Sequence, residues 1–164
     1  MVKYYNAMVV FEEIPDEITL AINITNCPCH CVGCHSKFLW EDVGTELTFE
    51  ELERLIKEND GITCVCFMGG DANPKEINDL ATYVSVKNVC GYKSLKIAWY
   101  SGKDELSEDI DTSLFNYIKL GHYDEKLGGL NSKTTNQRLY EIEYSKDTLI
   151  DITNKFWQKE IKNK

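Results

Sequence analysis

The chain has 164 residues and a mass of 18.9 kDa, which suits one domain over residues 1–164 with a sizeable core. Hydrophobic residues make up 43% of it, which excludes global disorder, and no apolar run is long enough to span a membrane. The net charge is −9 and there are only two arginines, which excludes a general nucleic-acid binder, because such a protein needs a basic face.

The first fifteen residues, MVKYYNAMVVFEEIP, lack the long apolar core and the cleavage site of a signal peptide. We therefore expect a soluble, cytoplasmic protein. In that compartment the seven cysteines are not expected to form disulfides, and metal ligation or redox chemistry is the better explanation for them.

The first two predicted elements flank a cysteine-rich loop. Apolar residues alternate in 18–25, which predicts a strand. The stretch 48–61 predicts a helix with Thr48 as its N-cap, and Glu51 three residues later completes a capping box. The loop between them contains four of the seven cysteines.

The second half of the chain continues the alternation. The short apolar run 62–67 predicts a buried strand, and the next helix is expected to run from an N-cap at Asn73, with Pro74 at its first position, to about Lys87. The later elements are predicted to be a strand at 95–100, weaker strands at 116–120 and 138–143, and a helix from residue 149 to the end.

Strands alternating with helices predict an α/β fold with a mainly parallel sheet and right-handed crossovers. A closed eight-stranded barrel typically needs about 250 residues, so we expect a partial, open parallel β/α barrel in a single domain. The cysteine loop, residues 68–71 and residues 101–102 each follow a predicted strand. Because ligands bind at the carboxyl ends of parallel strands, these three loops should open on one site.

The cysteine loop has the spacing Cys27-x3-Cys31-x2-Cys34, with Cys29 in addition. Three thiolates on one tight loop suit an iron–sulfur cluster that keeps one iron open for chemistry. The alternative is a non-catalytic zinc module that uses all four thiols, although structural zinc sites usually take two separated pairs of ligands. The three remaining cysteines are interpreted as small apolar core residues: Cys64, Cys66 and Cys90.

A cysteine motif of this spacing directly after the first strand resembles that of the radical S-adenosylmethionine (SAM) enzymes. Among them, the chain is most similar to the small activating proteins of anaerobic (class III) ribonucleoside-triphosphate reductases, in features that span about residues 18–142. Those features are Gly33 before the third cysteine, His35-Ser36-Lys37 and Trp40 after it, Gly69-Gly70-Asp71, Tyr100-Ser101-Gly102 and Thr135-Asn136-Gln137-Arg138.

The resemblance implies a [4Fe-4S] cluster and SAM as cofactors, and a 5′-deoxyadenosyl radical that installs a glycyl radical on the large reductase subunit. A donor such as flavodoxin would supply the electron. The cluster ligands would be Cys27, Cys31 and Cys34, with Cys29 as a bystander. The residues that contact SAM would be Gly33, Cys34, His35, Gly69, Gly70 and Asp71.

Two other radical SAM functions stay open: activation of a different glycyl-radical enzyme, and chemistry on a small molecule. Asp71 could accept from the ammonium of SAM or only order the start of the following helix, and Gly69-Gly70 alone is typical of a plain turn. His30 and His122 are interpreted as surface residues, whereas Ser101, Asn136 and Gln137 are expected at the mouth of the site.

Overall fold

A computed structural model of the chain describes residues 1–90, 94–143 and 148–162. The strands in those ranges are β1 Lys3–Val10, β2 Thr19–Ile24, β3 Thr45–Glu46, β4 Cys64–Met68, β5 Lys96–Tyr100, β6 Tyr117–Leu120, β7 Arg138–Glu143 and β8 Thr148–Asp151. The α-helices are α1 Phe49–Glu58 and α2 Pro74–Val89, and 3-10 helices lie at Lys37–Leu39, Thr112–Leu114 and Thr153–Lys162.

The strands form one mixed sheet in the order β3-β1-β2-β4-β5-β6-β7-β8. The four central strands β2, β4, β5 and β6 are parallel, and the outer strands pair antiparallel on both sides. Over the described residues the sheet does not close into a barrel. The predicted α/β class is confirmed, and its parallel part is the central half of a larger mixed sheet.

One face of the sheet packs against the two α-helices and carries the larger core. Leu20, Ile22 and Ile24 of β2 all point to this face, as the alternation predicted. Thr48 caps α1 as expected, because its Oγ1 accepts a 3.1 Å hydrogen bond from the backbone N–H of Glu51. At α2, Pro74 is the first residue as predicted, but Asn73 makes no side-chain cap.

The opposite face, called the inner face below, has its own apolar cluster. Its fully buried members include Cys64 and Cys66, so their interpretation as core residues is confirmed. Burial raises the pKa of both thiols well above its ordinary value, and they stay protonated. Near the amino ends of the strands, the buried Glu17 carboxylate binds Lys96 on this face.

Two sequence predictions fail. The stretch from residue 149 begins as a strand, because β8 pairs with β7, and only Thr153–Lys162 is helical; residues 163–164 lie outside the described residues. Cys90 is exposed instead of buried, because it lies just past the end of α2. In the described part of the chain, no helix has both the length and the apolar character needed to cross a membrane.

Candidate functional site

The cysteine loop leaves the carboxyl end of β2 and is fixed at its base. The backbone N–H groups of Asn26 and Cys27 donate to the carbonyls of Glu41 (3.0 Å) and Leu39 (2.9 Å). Asn26 and His30 both adopt left-handed backbone conformations, at φ 60° and 44°. Non-glycine residues rarely adopt this conformation, and such strain concentrates at functional sites.

All four thiols of this loop are free and partly exposed. A hydrogen bond from the Cys29 thiol, together with nearby backbone N–H groups, lowers the pKa of Cys27 to about 6, so Cys27 is a thiolate at neutral pH. The same hydrogen bond, with burial, raises the pKa of Cys29. The loop therefore offers an ionised sulfur at Cys27 that is hydrogen-bonded by the Cys29 thiol.

The chemistry of these donors fits an iron–sulfur cluster, because thiolates are the usual ligands of such clusters. Partial exposure leaves the sulfurs accessible, and the ionised Cys27 needs no base before it binds a metal. Among the described residues, no three His, Cys, Asp or Glu side chains are already grouped as a metal site. The donors are therefore present on one loop, and a metal would have to draw them together.

The Gly69-Gly70 turn follows β4 and adopts positive φ values of 110° and 92°. A side chain on Gly70 would overlap Ile77 of α2, and a Cβ on Gly69 would lie 3.1 Å from the carbonyl oxygen of Ile24. The Trp99 indole donates a 2.8 Å hydrogen bond to the Gly69 carbonyl. Both glycines are thus required by the turn itself, and the turn lies beside the end of β2.

Asp71 is buried and binds the loop that follows β5. Its carboxylate accepts a 2.8 Å hydrogen bond from the Gly102 backbone N–H and a second one from the Ser101 hydroxyl. A Cβ added to Gly102 would lie 2.8 Å from the sulfur of Cys29. The loops after β2, β4 and β5 therefore meet at one place, and Cys29 points toward the other two loops.

Lys119 of β6 is a buried cation that sequence reasoning missed. It lies next to Tyr100 in the β5–β6 register, and its ammonium donates to the carbonyls of Ser101 (3.1 Å) and Gly121 (2.6 Å). Burial lowers its pKa to about 8, although Asp71 and Cys31 favour the charged form. The available signal was a lysine inside an otherwise apolar predicted strand.

The loop after β6 lies against the cysteine loop and was also missed. His35 Nε2 lies 3.0 Å from the Tyr123 hydroxyl, within hydrogen-bond distance. A Cβ added to Gly33 would lie 2.5 Å from Glu125 Oε2, so the missing side chain makes room for this carboxylate. Gly33 and His35 thus both contact the β6 loop.

The segment before β7 supports the same loop. Asn136 Nδ2 donates a 3.0 Å hydrogen bond to the His122 carbonyl, and Gln137 Nε2 lies 3.5 Å from the Gly121 carbonyl. His122 Nδ1 lies 2.7 Å from the Asp104 carboxylate, which ties the loops after β5 and β6 together at the surface. Asn136 and Gln137 thus support the backbone of the loop after β6, and their place at the mouth of the site stays a prediction.

A groove of about 1270 Å³ opens next to the inner-face residues Met68 and Tyr100, which end β4 and β5. Its other walls are residues 11–13, 15–16, 130–134 and 155–157. Because Met68 directly precedes the Gly69-Gly70 turn, the groove begins next to the loop cluster. Its volume leaves room for a segment of another molecule.

Comparison with known proteins gives no family assignment: no protein-family model, curated protein or solved structure matches the chain. The inference of function therefore depends on the loop cluster described above and on the resemblance of the cysteine motif.

Proposed function

We propose that this protein is a radical SAM activating enzyme that installs a glycyl radical on an anaerobic ribonucleoside-triphosphate reductase. The observation that carries the proposal is the set of four free thiols on one strained loop at the carboxyl edge of the parallel strands. When bound, a [4Fe-4S] cluster supplies the electron that cleaves SAM to methionine and the 5′-deoxyadenosyl radical, which takes a hydrogen atom from the partner's glycine.

In this proposal Cys27, Cys31 and Cys34 hold the cluster, and the lowered pKa of Cys27 provides the first thiolate. An ionised carboxylate has about four lone-pair sites. Asp71 therefore keeps acceptor capacity for the ammonium of SAM after it has bound Ser101 and Gly102.

Backbone groups carry the remaining contacts to SAM. At Gly69 and Gly70 a side chain would point at Ile24 and Ile77, so these glycines set the shape of the turn, and SAM would be bound by the backbone groups of that turn. Gly33 would contact SAM through its backbone, since Glu125 fills the space beside its Cα. His35 keeps its place through Tyr123.

The groove beside Met68 and Tyr100 supports a macromolecular substrate. A glycine within a large protein would reach the loop cluster as part of a protein segment, and the groove beside Met68 offers space for one. A flavodoxin-type donor would deliver the electron to the exposed side of the cysteine loop.

The test is anaerobic purification and reconstitution with iron and sulfide. We expect a brown protein with about four irons per chain. After addition of SAM, reductant and the large reductase, a glycyl-radical signal should appear in electron paramagnetic resonance (EPR) spectra. Replacement of Cys27, Cys31 or Cys34 by Ala should abolish both the iron and the signal.

Cys29→Ala is the matched control, because it removes a thiol from the same loop and should keep most of the cluster. A colourless protein with one zinc per chain would contradict the proposal and support the zinc module. A cluster that cleaves SAM without producing a radical on this reductase would instead indicate another glycyl-radical partner or a small-molecule substrate.

A further inference from the structure

Lys119 has an unusual position for a charged side chain. Only 7% of its surface is exposed, and it lies on the inner face at the carboxyl end of β6. Its ammonium donates to two backbone carbonyls, those of Ser101 and Gly121. Burial of a charge is unfavourable unless its donors are satisfied, so these two bonds are the reason the side chain is tolerated there.

The two carbonyls belong to the two loops that touch the cysteine loop. Ser101 begins the loop after β5, whose Gly102 lies against the sulfur of Cys29. Gly121 begins the loop after β6, whose Glu125 lies against Gly33. A single ammonium thus bridges the starts of both loops.

Backbone hydrogen bonds place this bridge between segments that already run side by side. The Ser101 N–H donates to the Lys119 carbonyl (2.9 Å), and the Gly121 N–H donates to the Lys103 carbonyl (2.7 Å). These bonds join β5 and β6 beyond their ends. The ammonium adds the cross-link on the inner side, where the loops separate toward the cysteines.

We propose that Lys119 is a positioning residue that fixes the loops after β5 and β6 against each other, so that Gly102 and Glu125 hold the cysteine loop from two sides. A lysine suits this task because its ammonium carries three donors at the end of a long apolar stem. This role in positioning the loops does not rest on the proposed function. Only the expected effect on iron–sulfur cluster binding rests on it.

The matched pair of variants is Lys119→Met and Lys96→Met. Both lysines lie on the inner face, but Lys96 binds the Glu17 carboxylate near the amino ends of the strands, far along the strands from the loops. The substitution is identical and removes one cation in each case. A general loss of stability should therefore appear in both variants, whereas a loss of loop order should appear only in Lys119→Met.

The first measurement is native amide hydrogen exchange on the protein without metal. In Lys119→Met we expect at least about tenfold faster exchange in residues 27–36, 101–105 and 121–125, with the centres of β2 and β4 unchanged. In Lys96→Met these loops should exchange at the wild-type rate. Unchanged loops in Lys119→Met, or equally fast loops in both variants, would overturn the proposal.

If Lys119→Met does not fold, Lys119→Gln is measured in its place. Its amide keeps an N–H donor but is too short to bridge both carbonyls. The same loops should again exchange faster, and wild-type exchange would refute the positioning role.

The second measurement is anaerobic reconstitution with iron and sulfide. Lys119→Met should bind several-fold less iron than Lys96→Met and show a shifted EPR spectrum after reduction. Wild-type iron content and spectrum in Lys119→Met would count against the role. If the wild-type protein itself binds no cluster, the proposed function fails, and the exchange measurement still decides the role of Lys119.

Discussion

The two ends of the inner face each contain a buried carboxylate and a lysine, but they use them differently. Near the amino ends of the strands, Glu17 binds Lys96 and also accepts from the Tyr117 and Thr63 hydroxyls, at 3.1 and 2.6 Å. At the carboxyl ends, Asp71 and Lys119 bind mainly the backbone of loops.

We therefore expect the amino-end cluster to contribute to the stability of the sheet and the carboxyl-end residues to position loops. The amino-end cluster joins side chains of elements that already pair in the sheet or cover it. A substitution there should therefore change the stability of the sheet. The carboxyl-end pair joins the loops after β4, β5 and β6, and the loops after β5 and β6 in turn contact the cysteine loop at Gly102 and Glu125. Rigid support of flexible functional loops is what a site needs to keep its geometry.

Replacement of the two carboxylates gives the largest expected contrast. Asp71→Ala leaves the Gly102 N–H and the Ser101 hydroxyl without their acceptor, which should lower the unfolding free energy by about 2–3 kcal/mol. Glu17→Ala should lower it by a similar amount. Only Asp71→Ala should reduce iron binding, to roughly a tenth of wild type, because only Asp71 holds the loop beside Cys29.

Urea unfolding and iron analysis of the reconstituted proteins measure the two effects separately. Equal iron content in the two variants would show that the carboxyl-end network does not place the cysteine loop.

The pH dependence of the difference in unfolding free energy between wild type and Lys119→Met should report the titration of Lys119. Its pKa in the folded chain, about 8, is below the ordinary lysine value, so above pH 8 the unfolded state binds more protons at this site. The unfolding free energy of wild type relative to Lys119→Met should therefore rise with pH by up to about 1.4 kcal/mol per unit between pH 8 and 10. Below pH 8 the difference should be constant.

Lys96→Met provides the control for this titration. The Glu17 carboxylate raises the pKa of Lys96, so this lysine stays protonated in both states from pH 8 to 10. The difference in unfolding free energy between wild type and Lys96→Met, measured by urea unfolding at each pH, should be constant from pH 8 to 10. A rising difference for Lys96→Met, or a flat one for Lys119→Met, contradicts the assignment of the buried charge.

Two glycines allow a smaller, steric version of the comparison. Gly102→Ala places a methyl group 2.8 Å from the sulfur of Cys29, whereas Gly61→Ala points into open space with φ at 86°. Each should cost about 1 kcal/mol, the first from overlap and the second from backbone strain. The rate of Cys29 alkylation, measured by mass spectrometry, should change several-fold in Gly102→Ala and stay unchanged in Gly61→Ala. Equal alkylation rates would mean that Gly102 does not confine this thiol.

The regular elements were largely predictable from local patterns. The alternation in β2, the N-cap at Thr48 and the apolar run of β4 are signals carried by neighbouring residues, and each corresponds to an observed element. The outer strands β1, β3 and β8 were not predicted, since most of their residues are exposed or only partly buried.

The site was predictable only in part. The cysteine cluster and the glycine turn are visible as residue types, and the parallel fold brings their loops together. Lys119 was marked only by its place in a mostly apolar stretch, and Tyr123 and Glu125 gave no local signal, because their importance comes from β6 lying next to β5 and from a loop that folds back over Gly33. The role of Asp71 between two loops likewise depends on contacts about thirty residues apart.

Cys90→Ser should have the smallest effect. Cys90 is exposed at the end of α2, away from the carboxyl edge of the sheet, so the change should alter the unfolding free energy by less than about 0.5 kcal/mol. Iron content after reconstitution should equal that of wild type. A clear loss of iron would mean that a thiol outside residues 27–34 reaches the metal, and the distinction between the loop thiols and the other cysteines would no longer hold. Retention of iron, beside its loss in Cys34→Ala, would restrict the metal chemistry to the loop that the carboxyl-end network supports.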